Sequence, residues 1–91
     1  MKITYDPAKN AINVRERGLN FDSVSEFDFN TALIWRDSRK DYPEARFSAL
    51  GLLAGRLHAV VFVETHDGIR IISFRKANKR EVLRYEQETH S

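Results

Sequence analysis

The sequence predicts an α+β domain: a small antiparallel sheet of about four strands, packed by two N-terminal helices and one C-terminal helix. Three observations carry that prediction. Helix punctuation stands near both ends, where Asp6-Pro7 and Gly18 bracket one segment and Asn78, with Glu81 three residues on, opens another. β-branched and aromatic runs crowd residues 32–74 between them. Two dipeptides suited to tight turns, Ala54-Gly55 and Asp67-Gly68, divide those runs.

Taken in order, Ile3-Thr4-Tyr5 is a short strand. Asp6 can cap free amides, and Pro7 fits the first helical position because its missing N–H has no partner to lose. The helix runs from residue 7 to about 17 and stops at Gly18. Ala8, Ala11, Ile12 and Val14 supply its apolar stripe, and Lys9, Asn10, Asn13 and Arg17 its polar face. Residues 21–27 form a second, short helix, with Ser23 and Glu26 at capping-box spacing and Asp22 as the alternative cap. Phe21, Val24 and Phe27 share one side of it and belong under the sheet.

Strands follow at 32–35, 45–52, 57–63 and 69–74, with a polar loop over 38–43. The third of these is apolar on both faces, as a central buried strand should be. The last three, joined by two short turns, make an antiparallel meander. Arg46 has Glu64 as its expected cross-strand partner, and Trp35 reads as a core or edge aromatic ahead of a base-stacking platform. Asn78 caps the terminal helix, with Ala77 and Val82 at hydrophobic-staple spacing. Val82, Leu83 and Tyr85 are placed to dock on the sheet, while Arg80 and Arg84 share a helix face.

A chain of 91 residues without repeats or linkers is one domain, residues 1–91, with one modest core. There is no cysteine, hence no disulfide framework and no thiolate chemistry. No signal-like apolar run opens the chain and no stretch approaches the ~20 apolar residues of a membrane span, so the expected location is the cytoplasm, with no membrane partner. Net charge is only +2, yet residues 70–84 hold Arg70, Arg75, Lys76, Lys79, Arg80 and Arg84 against Glu81 alone. That window carries +5, and the rest of the chain sums to −3. Such a concentration suits an anionic partner.

The chemistry on offer is narrow. There is no Gly-rich phosphate loop and no serine elbow, and His58, His66 and His90 lack metal-ligand spacing. His58, inside an apolar strand, reads as a satisfied sheet residue. Arginine, lysine, tyrosine and a few acids remain. They suit RNA cleavage by the RNA's own 2′-hydroxyl, because fixed guanidinium groups stabilise the charge gained in a phosphorane-like transition state. Arginine stays protonated and is a poor base. Proton transfer would fall to Lys76, whose cationic neighbours favour its neutral form, to Tyr85, or to a carboxylate such as Glu44. A basic cluster alone is an electrostatic footprint, so a plain binding patch stands beside the catalytic reading.

Several stretches recur together in one known family. They are Tyr5-Asp6-Pro7-Ala8-Lys9-Asn10 with Asn13, Gly18 and Phe21, then Arg46-Phe47, Gly51, Gly55-Arg56 and Val60-Val61. Ile69-Arg70-Ile71-Ile72-Ser73, Arg75-Lys76-Ala77, Arg80-Glu81 and Tyr85-Glu86 complete the set. In this combination the chain resembles the BrnT toxins of bacterial type II toxin–antitoxin systems. The resemblance implies a RelE-like fold, a metal-independent ribonuclease without cofactor, and arrest of translation and growth. It also implies a cognate, BrnA-like antitoxin with a DNA-binding part, through which alone the toxin would reach operator DNA. Two positions depart from the family pattern. Arg17 stands where the family has a histidine and cannot replace it as a base, and Phe74 stands where alanine is common, bulk expected to reshape the adjacent pocket.

On this reading Arg46, Arg75 and Lys76 surround the scissile phosphate, with Tyr85 a further catalytic candidate. Arg70, Lys79 and Arg80 would hold flanking phosphates of the RNA substrate. The alternative is a catalytically impaired module that binds nucleic acid or the antitoxin on the same fold.

Overall fold

The computed structural model describes residues 1–90. The fold is α+β, built on one mixed sheet of five strands. The strands are β1 (Lys2–Tyr5), β2 (Leu33–Asp37), β3 (Arg46–Leu53), β4 (Arg56–Glu64) and β5 (Gly68–Lys76), in the order β1-β5-β4-β3-β2. Helix α1 (Pro7–Arg17) and a 3₁₀ helix (Phe21–Glu26) follow β1, and helix α2 (Lys79–Thr89) follows β5. No helix among the described residues is long and apolar enough to cross a membrane.

The expected sheet of about four antiparallel strands is corrected in number and in kind. β2 to β5 are antiparallel, but β1 joins the sheet parallel to β5, from Lys2 opposite Gly68 to Tyr5 opposite Ile71. Hairpin reasoning sees only strands that are neighbours in sequence, and these partners lie at opposite ends of the chain. The pairing also explains Gly68. A Cβ built there would run into the backbone of Lys2, so the residue is glycine for close approach as much as for turning.

The two faces of the sheet bury different clusters. One packs Ala49, Val60, Phe62, Ile69, Ile71 and Phe74 against Phe21, Val24 and Phe27. The other packs Leu50, Leu57 and Ala59 under Val82 and Tyr85 of α2. Leu83, expected to dock, is exposed. A bulge between Val61 and Phe62 shifts the register, so that Val61 faces Ser73 while Phe62 faces Ile71. Without that extra residue, Ile71 and Phe74, three apart, would point to opposite faces; with it both enter the same core. The same shift sets Arg70 and Arg75 on the opposite face together. Register also removes the expected Arg46–Glu64 pair: Arg46 lies opposite Val63, and Glu64 opposite Ile69.

Helix α1 starts and stops as expected. Asp6 accepts from the Ala8 amide, and Gly18, at φ 67°, returns its N–H to Val14. Its orientation is the reverse of the one expected. Ile12 and Val14 are 45% and 44% exposed, whereas Asn13 is 7% exposed. β1 covers β5 only as far as Ile71, so the outer edge of β5 beyond it needs other partners. Asn13 Nδ2 supplies one, donating to the Phe74 carbonyl and to the Leu19 carbonyl, each at 3.0 Å. Asn10 Oδ1 accepts from the Phe21 amide at 2.8 Å. Unpaired buried backbone polar groups cost more than exposed methyls gain, so the asparagines win the inner face. The 3₁₀ helix is capped by Asn20, which accepts from Asp22 N, and not by the expected Ser23 or Asp22.

Candidate active site

Between α2 and β2, the sheet face that carries Leu50 and Ala59 opens into a groove of about 360 Å³. Ser48, Ala59 and Val61 contribute to its lining, with Arg75, Glu81 and Arg84 on the α2 side and Trp35, Asp37 and Arg39 on the β2 side. A second concavity of about 380 Å³, lined in part by Tyr42, Glu44 and Arg46, shares residues 36–39 with the first. Small residues on the central strands give the depth, and charged ones on the flanking elements supply the walls.

Arg75 is the best-placed cation. Its Nη1 and Nη2 donate to the two Glu81 carboxylate oxygens at 2.7 and 2.9 Å, and Nη1 reaches the Lys76 carbonyl at 3.4 Å. A guanidinium has five N–H groups, so Nε and one Nη2 hydrogen are left for a ligand. Glu81 is the third residue of α2 and closes a capping box, its Oε1 accepting from the Asn78 amide at 3.0 Å while Asn78 accepts from Glu81 N. The arginine is thus held by the start of the last helix. The Arg75 hydrogen bonds hold the Glu81 carboxyl below its ordinary range, and Glu81 in turn raises Arg75.

Across the groove, Asp37 is buried and accepts from Arg39 Nε and Nη2, both at 2.9 Å. Those bonds, with that of the Arg39 amide, hold its carboxyl down to about 2 against an ordinary 3.8. A carboxyl lowered by folding adds stability that is fully present above 3.8 and fades as pH falls toward 2. Asp37→Asn should therefore flatten the acid limb of the unfolding midpoint measured from pH 5 to pH 2. Parallel limbs in the two proteins would show that the pair contributes no pH-linked stability.

Two guanidinium groups lie on aromatic rings: Arg84 over Trp35 and Arg46 over Tyr42, each 4.2 Å from the ring centroid. Arg84 also pairs with Glu88 at 2.8 Å, and Arg70 with Glu44 at 3.1 Å.

The sequence-predicted site residues do not all meet. Arg46, Arg70 and Arg75 share one face of the sheet. Lys76 follows Arg75 on the strand and points to the other face, opposite His58. Phe74 also points away from the groove into the core, where its ring lies 5.4 Å from that of His58, so its bulk does not shape the groove. His58 is buried, as expected, with Nδ1 2.8 Å from the Arg56 carbonyl. The Tyr85 hydroxyl donates to the Thr31 carbonyl at 3.0 Å, tying α2 to the approach to β2. Lys79 and Arg80 are exposed in the first turn of α2. Arg17 donates to Asn13 Oδ1 at 3.1 Å and lines no part of the groove.

Sequence reasoning did not place Asp37, Arg39, Glu81 or Arg84 at a site, and ranked Trp35 as packing ahead of a base-stacking platform. Strand alternation could have placed Trp35 and Asp37 together, two apart on β2. Among the described residues no group of three or more His, Asp or Glu is gathered to hold a metal ion.

No curated protein matches the chain. A family model described as the ribonuclease toxin BrnT of type II toxin–antitoxin systems matches residues 5–81, from the end of β1 to the first turn of α2. That span includes the β2 wall of the groove, Arg75 and Glu81 of the facing wall, and four of the five strands of the sheet in full, and the chain belongs to the BrnT family of ribonuclease toxins.

Proposed function

We propose that this chain is an endoribonuclease that needs no metal ion and uses the 2′-hydroxyl of its substrate as the nucleophile. The observation that supports this most is the position of Arg75, anchored on one side by Glu81 with donors left over, in a groove floored by small residues. A phosphate there would meet a fixed cation whose attraction grows as the phosphorane gains charge. Arg39 and Arg84 would screen the same phosphate from the groove walls. Arg46 and Arg70, in one row across the sheet on either side of Val63, would take the next phosphates, with Lys79 and Arg80 further out. Glu81 is the groove carboxylate beside Arg75, and its part is to fix that cation, since the same bonds hold its carboxyl below the ordinary range and weaken it as a base. Lys76 and Tyr85 take no part in this assignment.

Cleavage of this kind would arrest translation and growth in the cytoplasm. A BrnA-like antitoxin would neutralise the toxin and link it to operator DNA. Incubating the purified chain with synthetic RNA in excess EDTA should yield fragments ending in 2′,3′-cyclic phosphate, and none from the 2′-deoxy analogue. Cleavage that requires a divalent ion, or that leaves 3′-hydroxyl ends, would overturn the proposal. Salt-sensitive binding without cleavage would point to the binding module instead.

A further inference from the structure

We propose that the Arg84–Trp35 pair is a stacking subsite for one unpaired base of the bound RNA; this rests on the ribonuclease reading and names the form of its substrate. Trp35 lies on β2 opposite Ser48, in the lining of the groove that holds Arg75. One side of the indole joins the cluster under α2, and Arg84 covers it at 4.2 Å. The outer surface of the guanidinium is open, since the Arg84 side chain is 47% exposed. Its one anchor is Glu88, one turn on and equally open to solvent, and exposed pairs of this kind hold weakly. The result is a planar cation, braced flat by an aromatic ring, at the lip of the groove that holds Arg75.

Unpaired bases stack on such guanidinium planes and on aromatic rings, and stacking tolerates any base because every base has a π-face. A base laid on Arg84 would be the third layer over Trp35 and would leave the backbone pointing toward Arg75. The Arg46–Tyr42 pair repeats the arrangement next to the adjoining concavity, two residues along β3 from Ser48, a step of ~7 Å. Two such platforms in sequence suit a splayed single strand. A duplex keeps its bases in its own stack and has none to offer.

Trp35 is the only tryptophan of the chain, so its emission reports on this subsite directly. The full chain would be titrated with a 2′-O-methyl RNA oligonucleotide, which cannot be cleaved, carrying an end label for anisotropy. Trp35 emission should change along the same curve as the anisotropy. Abasic residues at the central positions, or Arg84→Ala, should weaken binding roughly five- to 150-fold, and the two losses should not add. Arg84→Lys should fail to restore it, because charge without a plane does not stack. Binding that leaves Trp35 emission unchanged, that ignores abasic positions, or that is equally tight for a duplex would overturn the subsite. If unmodified RNA is still cleaved in that case, the ribonuclease reading stands; if RNA is neither bound nor cleaved, both fall.

Discussion

Arg75→Ala is expected to lower RNA cleavage by a factor on the order of 10²–10³, the typical cost of removing one preorganised donor from a developing oxyanion. Lys76→Ala should leave cleavage within a few-fold of the parent. The contrast follows from strand geometry. Arg75 faces the groove opposite Ala59, and Lys76 faces away opposite His58. Had the basic run acted as a mere cluster, either cation would serve. Arg75→Lys should recover little, since an ammonium cannot hold both Glu81 oxygens and keep a donor fork toward the groove. The variants would be compared in single-turnover cleavage of the same RNA, with unfolding midpoints as a control. The Asn78–Glu81 capping box does not use Arg75, so α2 should still start in place. If Lys76→Ala were the more damaging change, the groove would be the wrong site.

Phe74→Ala should destabilise the fold by about 3–5 kcal/mol, enough to exhaust much of the ~5–15 kcal/mol available to a small domain. The ring is 0% exposed, lies beside His58 and sits in the cluster with Val24 and Val60. The backbone here also carries the carbonyl that Asn13 satisfies, and a collapsing cavity would disturb that bond. Urea unfolding of the purified variant gives the number. A loss below about 1 kcal/mol would mean that the neighbouring Phe21 and Ile71 refill the space and that Phe74 does not organise the core.

What could be read from the residues alone was the local grammar. The cap at Asp6, the stop at Gly18, the turn at Ala54-Gly55 and the capping box at Asn78 each depend on a few adjacent residues, and each is present. What could not be read depended on distant partners. The inward face of α1 is decided by a carbonyl on Phe74, and no periodicity on the helix reports it. The bulge in β5 decides which of Arg70 and Arg75 meet, and a hydrophobic pattern counts straight through it. The groove suffered from both causes. Charge summed along residues 70–84 ignored that neighbours on a strand point in opposite directions. Its other wall, from Trp35 to Arg39, lies more than thirty residues away in a segment of unremarkable charge.

The parallel seam between β1 and β5 also sets an order of assembly. β3, β4 and β5 meet through short turns and can close early, because loop entropy is small for near neighbours. β1 has no place in the sheet until residues 68–71 have emerged and turned back, and α1 has no carbonyl for Asn13 until Phe74 is there. On a ribosome, β1 is made before the other strands and is therefore among the last of them to be ordered. A chain stalled before residue 68 would hold β1 as an unpaired strand, without the partner edge that takes it into the sheet.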